Sequence, residues 1–307
     1  MSIEHQIPEH VTTIRKIRPL SFKREIPPLM GGMIEHWSET MGIATEIDYM
    51  AGFTDQYVDA IKNNYFPVVV GNHDSQANAI ALTKLAFILT GAANEVLPED
   101  KRLEGFLLPL AKSLDTGKQG KWAKLAYDGT KPVLEKYHLI PVLTATKNDV
   151  SQRGITRNTS EFMHDMKRGI EEGYAIAVLP EGSVKGGRKG PDGKRLGMQP
   201  FVDISLETCI ILARRYKKQP TLFIPVGLEG GTQIHDPQTK LPHMNALLAG
   251  FGFGNAKIAK IHVGLPIKSD GGELDELVKD HNWQDVNNFV GRAVADLIPE
   301  EMRGVYA

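Results

Sequence analysis

The chain of 307 residues contains a single cysteine, Cys209. One cysteine excludes an intrachain disulfide and any metal site built from several cysteines, and its scarcity is typical of a reducing compartment. Cys209 lies in the apolar run 208–213. In such surroundings a cysteine is expected to be a buried and unreactive thiol.

Long apolar runs are also missing. The longest, 77–97, is interrupted by Lys84, Asn94 and Glu95, whereas a membrane-spanning helix needs about 20 consecutive apolar residues. The amino-terminal residues MSIEHQIPEHVTT include acidic side chains and have no apolar core of the kind that signal peptides carry. We therefore expect a cytoplasmic protein, and peripheral contact with a membrane surface stays open.

No charge of one sign dominates the chain. The formal net charge is -1, with 24% charged and 41% hydrophobic residues. This composition is typical of a globular protein and gives no overall field that would attract nucleic acid. Any binding of anions must therefore come from local clusters of basic residues.

Short apolar, β-branched runs alternate with helical segments, and this alternation predicts an α/β fold with a mixed, mostly parallel sheet flanked by helices. Residues 91–137 are expected to hold a proline-broken segment followed by helices. We predict an amino-terminal arm and helical region over 1–62, helical from residue 31, and an α/β domain over 63–307. Strands are expected at 65–70, 139–144, 174–179, 221–226 and 258–263, and helices at 77–90, 159–173, 204–215 and 285–297.

Ligands of such sheets collect at the loops beyond the carboxyl ends of the strands. Three polar loops follow predicted strands, at 71–76, 147–157 and 180–190. The first places His73 between a strand and a helix, where an imidazole can exchange protons near neutral pH. A loop histidine that merely caps the following helix is the plain alternative.

The loop after the third strand begins with Pro180-Glu181-Gly182-Ser183. The proline ends the strand, the glutamate offers a carboxylate to orient hydroxyl groups, and the glycine allows close approach to the backbone. The following glycine-rich stretch is basic and suited to phosphate, although a solvated surface loop would have the same composition. Its basic residues are Lys185, Arg188, Lys189, Lys194 and Arg195.

Asn72-His73 and Pro180–Ser183, in this order and at this separation, resemble the first and third motifs of the glycerol-phosphate and lysophosphatidate acyltransferase family. The resemblance covers roughly residues 62–230, and Phe223-Ile224-Pro225-Val226 resembles the fourth motif. It implies a glycerol-3-phosphate acyltransferase-like fold, in which His73 deprotonates the acceptor hydroxyl. A basic residue between the two loops would bind the acceptor phosphate, and the candidates are Lys147, Arg153 and Arg157, with Arg153 preferred.

Two positions depart from the family pattern. Asn78 stands where the family has an aspartate that orients the histidine, and Val184 stands where it has an arginine. An asparagine carbonyl can orient the ring but brings no negative charge, and Asp74 could substitute electrostatically. An altered relay, a relative of low activity and an inactivated variant all stay open. The phosphate contact would pass to Lys185 or Arg188.

The resemblance implies transfer of a fatty acyl group from acyl-CoA or acyl carrier protein to the hydroxyl of a glycerol-phosphate or lysophospholipid acceptor, without metal or cofactor. A catalytically impaired protein that binds lipids or acyl thioesters is the alternative. A metallophosphoesterase is a third interpretation, because residues 71–74 resemble its Gly-Asn-His element. The sequence has neither the upstream Asp-x-His nor the downstream Gly-His-x-His that such a dinuclear site needs.

Overall fold

The structure is a computed structural model, and it describes residues 36–41, 44–73, 75, 77–111, 121–144, 152–181, 187, 189–191, 193–194, 196–201, 205–236, 243, 245–246 and 259–307. The strands are β1 (Glu46–Tyr49), β2 (Phe66–Gly71), β3 (Gly105–Ala111), β4 (Leu139–Thr144), β5 (Tyr174–Val178), β6 (Thr221–Glu229), β7 (Lys260–Val263) and β8 (Ile267–Lys268). The helices are α1 (Phe53–Lys62), α2 (Ala77–Asn94), α3 (Lys121–Lys136), α4 (Gln152–Glu171), α5 (Ser205–Leu212), α6 (Gly231–Ile234), α7 (Gly272–Lys279) and α8 (Trp283–Ala295).

The strands form one sheet in the order β1-β7-β6-β2-β5-β3-β4, and β8 pairs with β6. The pairs from β6 through β2, β5 and β3 to β4 are parallel, as is β1 with β7. Only β7 and β8 run antiparallel to β6 among the described pairs. The predicted fold class, a mixed and mostly parallel sheet flanked by helices, is confirmed.

All five predicted strands are present, as β2, β4, β5, β6 and β7, with small shifts at their ends, whereas β1, β3 and β8 were not predicted. The reason is clearest for β3. Its sequence GFLLPLA contains Pro109, and a proline usually excludes a central strand. Phe106 donates its N–H to the His138 carbonyl on the β4 side at 2.7 Å, so by alternation Pro109 turns its nitrogen towards β5. Because β5 pairs only with residues 105–107 of β3, the missing N–H costs no ladder bond.

The prediction of a helix from residue 31 to 62 is wrong at β1. Glu46–Tyr49 pairs in parallel with Lys260–Val263, residue for residue. Polar and apolar residues alternate in this segment, which suits a strand exposed on one face, but four residues are too few to establish that period. The helices at residues 36–41 and at α1 flank the strand.

The predicted start of a helix at residue 159, with Thr159 or Ser160 as its cap, is also wrong, because α4 begins at Gln152 and contains both residues. The helix is strongly amphipathic, and its residues Met166 and Ile170 are buried. Arg153 therefore lies in a helix and not in a loop.

The core lies on both faces of the central strands. All residues of β2 are buried, and α2 is apolar around most of its circumference, as a helix enclosed by other elements should be. The Tyr57 hydroxyl donates to the Leu89 carbonyl at 3.0 Å and fastens α1 to α2. Cys209 is buried as expected, and burial raises the pKa of its thiol to about 12. None of the described helices is long and apolar enough to cross a membrane.

Candidate active site

Three loops meet at the carboxyl end of the sheet. The strands β6, β2 and β5 are adjacent and parallel, so the segments that follow them emerge side by side. The first segment holds residues 72, 73 and 75, the second holds 179–181, and the third begins at Gly230. Each of the three contacts another through hydrogen bonds, and these bonds define the site.

Asn72 joins the first segment to β6. Its side-chain amide donates to the Leu228 carbonyl at 3.0 Å, and its side-chain oxygen accepts the Leu228 N–H at 2.6 Å. The amide therefore imitates one more residue of the β2 ladder. Asn72 is 1% exposed, so both bonds form away from water and are worth more than surface contacts.

Ser75 and Asn78 form a capping box at the start of α2. The Ser75 hydroxyl accepts the Ala77 N–H at 3.0 Å, and the Asn78 side-chain oxygen accepts the Ser75 N–H at 2.7 Å. Reciprocal bonds of this kind satisfy backbone donors that the first helical turn leaves unpaired. The same hydroxyl donates to the Gly231 carbonyl at 2.8 Å, which ties this loop to α6.

Glu181 bridges two backbone segments. One carboxylate oxygen accepts the His73 N–H at 2.7 Å, and the other accepts the Gln199 N–H at 2.8 Å. The side chain is only 6% exposed, so these charge-assisted bonds form in a shielded place. The structure thus brings residues 73 and 181 into direct contact, although the contact uses the backbone of His73 and not its ring.

The His73 ring is partly buried, and its Nδ1 atom is fully shielded from solvent. Burial lowers the pKa of this imidazole to about 4, while the nearby Asn78 side chain and Ser75 backbone oppose the shift more weakly. Within the described part of the chain, Nδ1 makes no hydrogen bond of normal geometry. The ring is therefore neutral at pH 7, and the interaction with residue 78 does not hold it firmly.

The Asn78 side chain takes part in the cap of α2 and brings no charge to the imidazole. Its oxygen is engaged by the Ser75 N–H, and its other polar atom is an NH₂ group, which can only donate. An aspartate at this position would present a second acceptor oxygen. Asn78 lies beside His73 as the motif suggests, but its carboxamide closes the helix cap.

The remaining candidates divide into two groups. Arg153 belongs to the helix after β4, and β4 lies three strands away from β2, a separation of about 14 Å at the usual spacing of strands. The other residues lie outside the described part of the chain: Asp74, Lys147, Gly182, Ser183, Lys185 and Arg188.

Part of the basic loop is described. Gly190 donates its N–H to the Lys194 carbonyl at 2.7 Å, and Gly193 adopts a φ of +77° within this tight turn. Lys189 and Lys194 are exposed.

Sequence reasoning missed Ser75, Gly231 and Gln199. The Ser-x-x-Asn spacing of residues 75–78 resembles a capping box and could have indicated the role of Ser75. Gly231 and Gln199 act through backbone atoms, which leave no signature in the choice of side chain. Among the described residues, no three His, Cys, Asp or Glu side chains come close enough together to hold a metal ion.

The fold and these contacts define an α/β protein with a polar site at the carboxyl end of the central strands. No protein-family model matches the chain, and no curated protein matches its sequence. The chain is similar to the crystal structure of the 1-acyl-sn-glycerophosphate (LPA) acyltransferase from Thermotoga maritima, with 14% sequence identity and a TM-score of 0.38. The match covers 84% of this chain and 76% of that chain. Similarity of this size assigns no activity.

Proposed function

We propose that the chain is an O-acyltransferase that moves a fatty acyl group from acyl-CoA or acyl carrier protein to the hydroxyl of a glycerol-phosphate or lysophospholipid acceptor. The observation that carries the proposal is the contact between the His73 N–H and the Glu181 carboxylate at 2.7 Å. It unites the two motif segments, which are 108 residues apart in the chain. The proposed location is the cytoplasm, with peripheral contact to a membrane when the acceptor is a lysophospholipid.

In the proposed reaction His73 takes the proton from the acceptor hydroxyl as the oxygen attacks the thioester carbonyl. The tetrahedral intermediate then collapses, the carbon–sulfur bond breaks, and the leaving thiolate receives the proton. The new bond is an oxygen ester, so atoms and charge balance without a further reactant. Glu181 supports this step by holding the backbone of His73, since both its oxygens accept N–H groups.

The phosphate of the acceptor would be bound by the basic glycine-rich loop. We propose Lys185 and Arg188 for this contact, with Gly182 and Ser183 lining the approach and Lys147 or Arg153 contributing from the loop and helix after β4. Replacing Lys185 by Ala should raise the KM for a phosphorylated acceptor and leave kcat nearly unchanged, because the contact exists before and during the reaction. An unphosphorylated acceptor of the same backbone serves as the control.

A second candidate function is binding of an acyl thioester without efficient transfer. The engaged oxygen of Asn78 favours it, as does the Nδ1 atom of His73, which has no hydrogen bond among the described residues. A weakly held base of low pKa accepts a proton poorly, whereas the scaffold around it is intact. This candidate predicts that a non-hydrolysable acyl-CoA analogue binds in calorimetry while transfer stays near background.

The decisive experiment measures transfer from labelled acyl-CoA and acyl carrier protein to glycerol-3-phosphate and lysophosphatidate. Replacing His73 by Ala should lower kcat by about 10²–10⁴-fold, which is the usual contribution of a general base. His164→Ala is the matched control, since this histidine is 72% exposed on α4. Equal transfer by wild type and His73→Ala would refute the proposed base.

A further inference from the structure

We propose that residues 302–306 are a positioning segment for the site and that Tyr306 is its main positioning residue. The inference rests on the proposed function, because it concerns the geometry of the same histidine and glutamate. The segment is distant from His73 in sequence, yet a continuous series of contacts connects the two.

The first contacts join the segment to residues 197–201 through the backbone. Met198 donates its N–H to the Met302 carbonyl at 2.8 Å, and Val305 donates to the Met198 carbonyl at 3.1 Å. Gly304 has a φ of +57°, and a Cβ at this position would lie 2.2 Å from the Met198 carbonyl oxygen. Only glycine allows the two backbones to approach this closely.

Tyr306 provides the second set of contacts. Its hydroxyl accepts the Phe201 N–H at 3.2 Å, and the two rings pack edge to face with centroids 5.8 Å apart. On its other side the ring lies against Gly291 of α8, where an added Cβ would come within 2.5 Å of it. Tyr306 is therefore held between the 197–201 segment and a helix of the core.

Gln199 lies between the two anchored residues Met198 and Phe201, and it donates its N–H to Glu181. The other oxygen of Glu181 accepts the His73 N–H. Burial raises the pKa of the Tyr306 hydroxyl, and the negative charge of Glu181 adds to this shift, which agrees with their proximity. The series thus runs from Tyr306 through Gln199 and Glu181 to the backbone of the proposed base.

Loosening the segment should free the Gln199 N–H and leave one oxygen of a buried carboxylate without this partner. Glu181 would then hold the His73 backbone less well, and the imidazole would be less well oriented towards the reacting hydroxyl. Misalignment of a base lowers the rate of the chemical step more than it weakens substrate binding. We therefore expect kcat to fall while KM changes little.

Gly304→Ala and Tyr306→Phe test the inference, with Glu301→Gln, an exposed neighbour, as the control. Amide hydrogen exchange of the full-length variants reports the coupling without any assay of transfer. Exchange at Gln199 and His73 should become at least about tenfold faster in Gly304→Ala. It should become about fivefold faster in Tyr306→Phe, which loses one hydrogen bond. Glu301→Gln should exchange like wild type, and kcat should fall in the same order.

Unchanged exchange at Gln199 and His73, together with faster exchange at Met198 or Val305, would overturn the inference, because the segment would then move independently of the site. If Gly304→Ala does not fold, Tyr306→Phe decides in the same way. If wild type shows no transfer with any donor, the proposed function fails, while the exchange measurement still confirms or refutes the coupling. A merely structural role would lower the melting temperature without changing kcat at temperatures where the variant is folded.

Discussion

The side-chain oxygen of Asn78 accepts the Ser75 N–H and so helps to cap the first turn of α2. The His73 ring beside it has a shielded Nδ1 without a hydrogen bond among the described residues. A general base needs a partner that fixes its tautomer and stabilises the imidazolium. Residue 78 is therefore the position at which a single change should raise the rate of the chemical step.

Asn78→Asp should raise transfer by one to three orders of magnitude. One carboxylate oxygen can keep the bond to the Ser75 N–H, while the other accepts from the imidazole and stabilises its charged form. The same charge raises the pKa of His73 from about 4. The acid limb of the pH–rate profile, expected below about pH 5 in wild type, should therefore move towards neutral pH.

Steady-state rates between pH 4 and 9 test this prediction. Asn78→Ala is the control, since it removes the cap and supplies no charge, and it should lower stability by about 1 kcal/mol without raising the rate. A profile that is identical in wild type and Asn78→Asp would show that the two side chains are not coupled.

His235 makes stability depend on pH. It is 4% exposed beside Trp37, with ring centroids 5.5 Å apart, and neither ring nitrogen has a hydrogen bond within the described residues. Burial, assisted by His243, lowers its pKa to about 4. Because the unfolded chain binds a proton at pKa 6.5 and the folded protein resists it, stability is full above pH 6.5 and falls as the pH decreases towards 4.

Through His235, the free energy of unfolding should be about 2 kcal/mol lower at pH 5 than above pH 6.5. Urea unfolding at pH 7 and pH 5 measures it, and His235→Phe should reduce the difference between the two pH values by about this amount. The exposed His164→Gln serves as the reference and should keep the wild-type difference. Equal pH dependence in wild type and His235→Phe would mean that His235 titrates normally.

At the scale of elements, Asn72 connects two strands beyond the end of their own pairing. Asn72→Ala would leave the N–H and the carbonyl of Leu228 without these partners in a buried place. We expect a loss of about 2–4 kcal/mol in the free energy of unfolding, since each unsatisfied buried group costs about 1–3 kcal/mol.

Urea titration checks this value, with Asn63→Ala as the matched control. Asn63 also uses its amide in hydrogen bonds, but it is exposed at the end of α1, so its removal should cost no more than about 0.5 kcal/mol. A loss for Asn72→Ala as small as that would show that water replaces its bonds.

The central elements could be predicted because their sequences carry strong patterns. The β-branched run of β2 and the apolar run before Pro180 indicate buried strands, and parallel strands bring the residues that follow them to one edge. This accounts for the neighbouring positions of residues 73 and 181. The sequence alone did not indicate that β4 lies three strands from β2, because strand order depends on pairing between distant segments.

The missed features share a physical cause. Pro109 argues against a strand when only the sequence of β3 is considered. The proline is tolerated because β5 pairs only with residues 105–107 and stops before it. Gln199 enters the site through its backbone N–H, which every residue except proline possesses. Tyr306 depends on a glycine in α8 that makes room for its ring. Each of these depends on packing between segments far apart in the chain, and local patterns do not record it.

For the whole molecule, the pairing of β1 with β7 joins an amino-terminal strand to a strand in the carboxyl-terminal part of the chain. Glu46–Tyr49 lies parallel to Lys260–Val263, and α1 is fastened to α2 through Tyr57. We therefore predict that residues 46–62 unfold together with the sheet in one cooperative transition. The division at residue 62 that the sequence predicts would instead allow two transitions.

Native-state hydrogen exchange distinguishes these outcomes. Amides of β1 and β6 should exchange with the same free energy, and thermal unfolding followed by tyrosine fluorescence and by circular dichroism should coincide. Earlier exchange across all of β1 and α1, with β6 still protected, would establish an independent amino-terminal unit.

Because its single thiol is buried, the folded protein should not react with maleimide dyes. Only the thiolate reacts. Cys209 is enclosed, and burial raises the pKa of its thiol to about 12. A reporter cysteine placed at exposed Lys189, in the basic glycine-rich loop, can therefore be labelled selectively while the native residue stays in place. Fluorescence from that probe would register the arrival of a donor or an acceptor even in variants that have lost turnover.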